Sequence, residues 1–244
     1  MIHLFSSNYL ARIPVEKAVQ SFAKRFTQEM KVLDIGCGNK PYAHFFTCEY
    51  IGLDPYPDTK ADIVRDAWDS GLPDNSLDGV ILNQSLEHIS NTIGTIQEIE
   101  RVLKPGGLVL VTVPQTMRNH GIPLSLQEAK IENVDPATLS FWNVDYWRFT
   151  KFGLVHLFKN FHVEKLEESN TYLTTLLQLK NYFLASFGLG ILLSPIYFIN
   201  NLLGLFLDWL FFSLGKLPFP LVKRFDQLIM RGLTLNIILI ARKP

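Results

Sequence analysis

Three carboxylates stand at the ends of short apolar runs, at Asp34, Asp54 and Asp66. The first opens Asp34-Ile-Gly36-Cys37-Gly38, where two glycines let the backbone turn sharply and let a ligand reach the main chain without meeting a Cβ. Asp54 follows Gly36 by 18 residues and precedes Pro55. An acidic side chain at that distance reaches two ribose hydroxyls as a double acceptor; its plainer role is to cap the turn before Pro55. Asp66 with Ala67 can accept from an exocyclic adenine amine, and Trp68 can stack nearby; Asp66 as a turn cap is the alternative. Asn83 ends another apolar run. Proton-accepting groups are His88, His120 and Asp145. Each has a structural alternative: the two histidines as loop-shaping hydrogen bonders, Asp145 as a partner for Arg148. Cys37 reads as a small residue lining the glycine loop. Tyr146, Trp147 and Arg148 belong to an aromatic stretch, Phe141–Thr150, suited to hold an acceptor.

These residues must be carried by alternating strands and helices. Lys31–Ile35, Tyr50–Leu53, Ala61–Val64, Gly79–Leu82 and Leu108–Val113 read as buried parallel strands. Residues 14–29 form an amphipathic helix with Pro14 in its first turn, and 91–103 form another, stopped by Lys104-Pro-Gly-Gly107. A helix capped by Thr150 leads to a sixth strand, Phe161–Glu168, and Thr234–Ala241 reads as a seventh. The alternation predicts an α/β, doubly wound, mostly parallel sheet that binds its ligand at the carboxyl ends of the strands, where Asp34, Asp54, Asp66 and Asn83 all fall.

As a set, Val32–Gly38, Gly52-Leu-Asp54, Asp66-Ala67, Leu72–Asp78, Leu86-Glu-His88 and Glu100–Gly107 resemble the class I, Rossmann-like S-adenosylmethionine-dependent methyltransferases. The resemblance covers about residues 31–114 in register. Asn39-Lys-Pro-Tyr stands where a third glycine is common, and this Gly-Cys-Gly-x-x-Pro-Tyr variant is similar to a bacterial subgroup associated with glycan and cell-envelope methylation. The resemblance implies seven strands with the last antiparallel. It implies that the Gly36–Gly38 loop holds the methionine part of the cofactor, Asp54 the ribose, Asp66 with Ala67 the adenine, and that Asn83 lies near the sulfonium. The rival reading, a dinucleotide dehydrogenase, fits less well. Asp34 and Pro41 suit a cationic ligand and repel or fail to receive a pyrophosphate.

The 244 residues carry no net charge, so a nucleic-acid surface is not expected. Two cysteines and the absence of zinc-ligand spacing argue against a disulfide framework or a metal site, and fit a reducing compartment. The N-terminal stretch lacks the continuous apolar core of a signal peptide. Mean hydropathy is +0.14, and the excess lies in an insert of about 60 residues between strands six and seven, far longer than an ordinary connection. Asn181–Leu207 contains no charged residue. Pro195 is expected to break this run into halves too short to span a bilayer, and strands of one sheet must lie on one side of any membrane. The expected organisation is a methyltransferase domain, 1–170 and 233–244, with a helical insert, 171–232, entering a membrane surface as an interfacial or re-entrant hairpin. The insert carries an excess of three positive charges, suited to an anionic cytoplasmic leaflet. The alternative is a lid or homodimer interface. The leading expectation is therefore a methyltransferase at the cytoplasmic face of the membrane, acting at oxygen on a lipid-linked or glycan acceptor. Its rivals are a soluble small-molecule methyltransferase and a non-catalytic scaffold.

Overall fold

The computed structural model describes residues 3–117, 144–217, 219 and 232–244. The elements are α1 (Tyr9–Ala23), β1 (Lys31–Ile35), β2 (Glu49–Leu53), β3 (Leu77–Asn83), α2 (Thr92–Val102), β4 (Leu103–Pro114), α3 (Lys151–Leu157), β5 (His162–Glu168), α4 (Tyr172–Ala185), α5 (Gly190–Leu214) and β6 (Asn236–Arg242). They give a Rossmann-like α/β fold whose six-stranded sheet runs β2-β1-β3-β4-β6-β5. β1 pairs in parallel with β2 on one side and β3 on the other, and β3 pairs in parallel with β4. The last strands are antiparallel: Gly106 and Gly107 of β4 exchange backbone hydrogen bonds with Lys243 at 3.0 and 2.9 Å. Strand order reverses at β1, between β2 and β3, which is where open α/β sheets leave a crevice.

Two expectations about elements are corrected. The described sheet has six strands, because Ala61–Val64 makes one bridge, Ile63 to Leu53, and no ladder. At that bridge Asp62 and Ile63 N–H donate to Gly52 O at 2.9 and 3.0 Å and Asp54 N–H donates to Ile63 O at 3.1 Å, while the Asp62 side chain accepts from Gly52 N–H at 2.7 Å and from the Lys40 ammonium. Pro195 does not divide the apolar run, for Gly190–Leu214 is one continuous helix. The hydrogen bond that Pro195 cannot donate to the carbonyl of Ile191 is replaced by the Ser194 hydroxyl, at 2.8 Å. Pro14 is likewise inside α1 and not in its first turn, and the carbonyl it leaves unpaired, Leu10 O, accepts from Asn170 Nδ2.

The chain forms two compact units. The larger contains β1 to β4 with α2 and α3, and its core is built from Val32, Leu33, Val80, Leu82, Ile99, Val109 and Val111. Phe26 packs so closely on Gly79 that a Cβ there would lie 2.5 Å from the ring. The expected caps are present: Thr150 accepts from Gly153 N–H at 3.1 Å, and Asn91 caps α2.

The smaller unit contains α4, α5 and the N-terminal residues to Ala18. The two helices run antiparallel. Asn181 bonds Asn200 and Asn201 across the pair, Thr174 donates to Gly204 O at 3.0 Å, and Asp208 accepts from Thr171 N–H at 2.8 Å. The N-terminal segment closes the same seam. Asn201 Nδ2 donates to the carbonyls of Leu4 and Ser6, and Gln178 donates to that of Ser7. The buried positions of α4 are Thr174, Thr175, Gln178 and Asn181; those of α5 are Tyr197, Asn200, Asn201 and Gly204. Gly204 is the point of closest approach, where a Cβ would sit 2.8 Å from Leu10. Gly204→Val is expected to lower stability by about 1–3 kcal/mol through overpacking, read as a reduced thermal midpoint for the smaller unit.

Candidate functional site

A cavity of about 360 Å³ opens in the larger unit at the carboxyl ends of β1, β2 and β3. Among the residues that line it are Gly36, Gly38, Asp54, Pro55, Asp66, Ala67, His88 and Tyr146, all singled out by type and spacing. The glycine loop is fastened to the end of β2. The carbonyl of Leu53 accepts from Gly36 N–H at 2.8 Å and from Cys37 N–H at 3.2 Å. Gly36 has φ +74°, and a Cβ on it would lie 2.5 Å from that of Ser85. Gly38 also has positive φ, and the space where its Cβ would stand is open. A side chain at Gly36 is thus excluded by the protein, while one at Gly38 would fill space beside the cavity.

Asp54 is held as a ligand acceptor should be. Oδ2 accepts from Gly38 N–H at 2.9 Å and Oδ1 from Tyr56 N–H at 3.1 Å. A carboxylate offers about four lone-pair sites, so two remain for hydroxyl donors. Asp66, Ala67 and Trp68 form a further stretch of the wall. Ser85 lines the cavity, and its buried hydroxyl has no hydrogen-bond partner among the described residues. A Gly-walled cradle, a pre-oriented double acceptor and an unpartnered hydroxyl suit a nucleoside linked to a charged amino-acid chain, the shape of the expected S-adenosylmethionine.

Three residues expected to touch the cofactor stand behind the wall. Asp34 is buried and accepts from the Tyr50 hydroxyl. Burial pushes its carboxyl up to about 6, against the opposing Tyr50 hydrogen bond. Cys37 is buried, with its thiol pushed up to about 12 by burial and by Asp34, so it is inert as a nucleophile. Asn83 is bound at Oδ1 by the Thr112 hydroxyl at 2.6 Å. Gln84 and Ser85 line the cavity in its place. Gln84 adopts φ +55°, unusual for a side chain of that size, and is held there by bonds from its backbone and side chain to Thr112. No residue pattern announces such a turn, so Gln84 and Ser85 escaped the sequence reading.

The proton-accepting groups separate. His88 lines the cavity, with Nδ1 2.9 Å from the carbonyl of Val144. A carbonyl only accepts, so Nδ1 carries the proton and the lone pair lies on Nε2. Asp145 instead forms a two-pronged ion pair with Arg148. With both oxygens engaged, Asp145 and Arg148 position the chain, and neither they nor Trp147 line the cavity. Trp147 donates from its indole to Ile89 O at 2.8 Å. The backbone N–H groups of Tyr146 and Trp147 donate to Glu87 O at 2.9 and 3.2 Å. His120 lies outside the described residues, as do Phe141 and Trp142. Among the described residues no group of three metal-ligating side chains occurs.

Glu87 is fully buried, and neither of its carboxylate oxygens has a hydrogen-bond partner among the described residues. Burial pushes its carboxyl up to about 8. Oε1 lies 3.9 Å from His88 Nε2, too far for a hydrogen bond.

The methyltransferase-domain family profile matches residues 8–183. The chain is 37% identical over 57 residues to a demethylmenaquinone methyltransferase of Symbiobacterium thermophilum, covering 23% of each protein. It is 33% identical over 121 residues to a tRNA (carboxymethyluridine(34)-5-O)-methyltransferase of Arabidopsis thaliana, covering 45% of this chain and 29% of that one. The chain therefore spans less than a third of either curated relative. Among solved structures, a methyltransferase from Bacillus halodurans superposes with TM-score 0.51 at 14% identity, over 94% of this chain and 98% of that one. A Haemonchus contortus phosphoethanolamine N-methyltransferase in complex with S-adenosyl-L-methionine superposes with TM-score 0.52 at 18% identity, over 94% of this chain and 52% of that one. These likenesses establish the fold.

Asp54→Ala is expected to weaken S-adenosylmethionine binding about 100-fold or more, measured by calorimetry, because it removes the acceptors for two hydroxyls and releases Gly38. The pH dependence of stability carries a second expectation. Between 4.5, the ordinary value, and about 8 the native state keeps the Glu87 proton that the unfolded chain has released. The native state binds more protons over this window, so stability falls as pH rises through it, on the order of 1 kcal/mol per pH unit, and levels above it. Asp34 adds a decline of the same sign up to about 6. Glu87→Gln should therefore flatten the thermal midpoint between pH 6 and 8 and leave only the shallower Asp34 decline below 6.

Proposed function

The chain belongs to the methyltransferase-domain family, and from that premise we propose that it is an S-adenosylmethionine-dependent methyltransferase acting on an oxygen of a lipid-linked or cell-envelope glycan acceptor at the cytoplasmic face of a membrane. The observation that carries the acceptor class is the outward apolar surface of α4 and α5. An enzyme seated on lipid meets acceptors anchored in lipid, and it gains effective concentration by doing so.

The bound cofactor supplies an electrophilic methyl group on a sulfonium centre. The chain's residues do the rest. The Gly36–Gly38 backbone receives the amino-acid portion, Asp54 accepts from the ribose hydroxyls, and Asp66 with Ala67 meets the adenine edge. His88 takes the proton of the acceptor hydroxyl at Nε2, since Val144 fixes the opposite nitrogen as a donor. Tyr146, at the cavity wall, orients the acceptor, and the Asp145–Arg148 pair and the Trp147–Ile89 bond hold Tyr146 in place. Alignment of acceptor and methyl group supplies much of the acceleration in such a displacement.

A second reading, methylation of a lipophilic small molecule, is favoured by the likeness to the demethylmenaquinone methyltransferase. One assay distinguishes the two. Purified protein is incubated with methyl-labelled S-adenosylmethionine and a bacterial membrane extract, and the products are fractionated. Label in base-stable, glycan-bearing lipid supports the first reading; label in carbohydrate-free lipid supports the second; label confined to the nucleic-acid or protein fraction overturns both. His88→Ala should lower kcat about 100-fold or more while the dissociation constant for S-adenosylmethionine changes less than about two-fold.

A further inference from the structure

The smaller unit has a small apolar cluster at Leu10, Ala11 and Leu235, but where α4 and α5 meet the usual polarity is reversed. Its seam is polar: Asn181, Asn200, Asn201, Thr174 and Gln178 are buried and bonded to one another or to backbone carbonyls. Its exterior is apolar. Ile191 is 91% exposed, Leu192 75%, Trp209 65% and Phe183 64%. On α5 the exposed residues Ile191, Leu192, Ile199, Leu202, Leu203 and Phe206 fill an arc of about 120° opposite the buried asparagines. Phe183 and Leu176 continue the apolar surface on α4, and Phe187 and Leu189 carry it over the turn between the helices. In water the hydrophobic effect drives the opposite arrangement, with leucines in the seam and asparagines outside. Polar side chains in the seam and apolar ones outward are stable where the surrounding solvent is itself apolar and a polar group must find its partner within the protein.

Geometry then fixes how such a unit meets lipid. The segment leaves β5 and returns to β6, which are neighbours in one sheet, and Ser169 N–H bonds Asn236 O at 2.9 Å where the two ends meet. Both ends are therefore on one side, and any crossing must be paired with a return. α4 has 14 residues, about 21 Å, and does not cross a hydrocarbon core of about 30 Å. Lys180, exposed on α4, is level with Asn201, and from there α5 extends 11 residues to its start, about 17 Å. That is close to the depth of one leaflet's hydrocarbon, with Lys180 at the headgroups.

We propose that α4 and α5 form a re-entrant hairpin that dips tip first into a single leaflet of a phospholipid bilayer, with the turn and the first turn of α5 deepest. The proposal deepens the membrane placement given above and is independent of which acceptor is methylated. A second copy of the chain is the competing occupant. It would cover one side of the hairpin, whereas the apolar surface runs along both helices and over the turn.

The test uses the full chain in a Cys48→Ser background, where Cys37 stays buried. Single cysteines at Ile191→Cys, on the tip, and Leu173→Cys, at the base, are labelled with an environment-sensitive fluorophore. Vesicles of phosphatidylglycerol and phosphatidylcholine carry nitroxide quenchers at shallow or deep acyl positions. The expected result is a blue shift on vesicle addition at 191, with the deep quencher most effective there, and a label at 173, about 10 Å beyond the level of Lys180, that stays in water and is little affected by either quencher. A label at 191 that stays in water, or is no deeper than that at 173, overturns the proposal. So does a label at 191 already shielded in a vesicle-free dimer. The variant Ile191→Asp with Leu192→Asp should reduce vesicle partition at least about 10-fold, and unchanged partition overturns the proposal. S-adenosylmethionine binding is measured on every sample. Its loss throughout would count against the methyltransferase reading, and the quenching pattern alone decides the hairpin.

Discussion

The carbonyl of Leu53 holds the glycine loop. It ends β2 and accepts from both Gly36 and Cys37, so the loop that leaves β1 is pinned to the strand beside it. Parallel pairing of β1 with β2, Asp34 opposite Gly52 and Ile35 opposite Leu53, brings that carbonyl into place. One residue further on, Asp54 takes Gly38 N–H. The three bonds fix the loop as a cradle, and they link the Gly36–Gly38 stretch to Asp54. The positive φ of Gly36 and its closeness to Ser85 follow from the same pinning. A register slip of one residue would move all of these together.

Around this loop the site divides labour between groups that touch the cavity and groups that hold them. Asp54, His88 and Tyr146 line it. Asp34, Asn83, Asp145 and Arg148 spend their hydrogen bonds on Tyr50, Thr112 and each other. The buried Glu87 receives the 144–148 segment at its backbone, while its side chain stays without a partner among the described residues. A carboxyl in that position favours its neutral form, because charging it would require solvation that the interior does not supply.

The smaller unit obeys the same rule from the other side. Its buried asparagines, Thr174 and Gln178 are paired with one another, with backbone or with the N-terminal segment, and many of its large apolar side chains face outward, beside a small internal cluster of Leu10, Ala11 and Leu235. A membrane is the solvent in which that distribution is favourable. The fold thus combines a cavity lined by polar and glycine residues in one unit with an outward apolar surface in the other, and the proposed membrane contact accounts for the second.

Residue type and spacing by themselves determined the family resemblance, the cofactor and about half of the cavity wall. Glycines, strand-end acids and capping residues act locally, so their consequences are written within a few positions. Thr150 as a cap and Asp54 beside the loop belong to this class. The tertiary structure alone decided what depends on partners distant in the chain. Ala61–Val64 had a strand's composition but makes a single bridge, from Ile63 to Leu53, with the Asp62 side chain bonded to Gly52 and Lys40 beside it. Pro195 should have ended a helix, but the neighbouring hydroxyl of Ser194 replaced the lost bond. Asn200 and Asn201 read as interruptions of an apolar run and proved to be its seam, because their partners, Asn181 and the carbonyls of Leu4 and Ser6, lie 19 to 197 residues away. The opening motif Lys31–Asn39 shows both sides. Its glycines announced a ligand, but only the pairing of β1 with β2 showed that Asp34 stands behind the cradle and Asp54 in front of it.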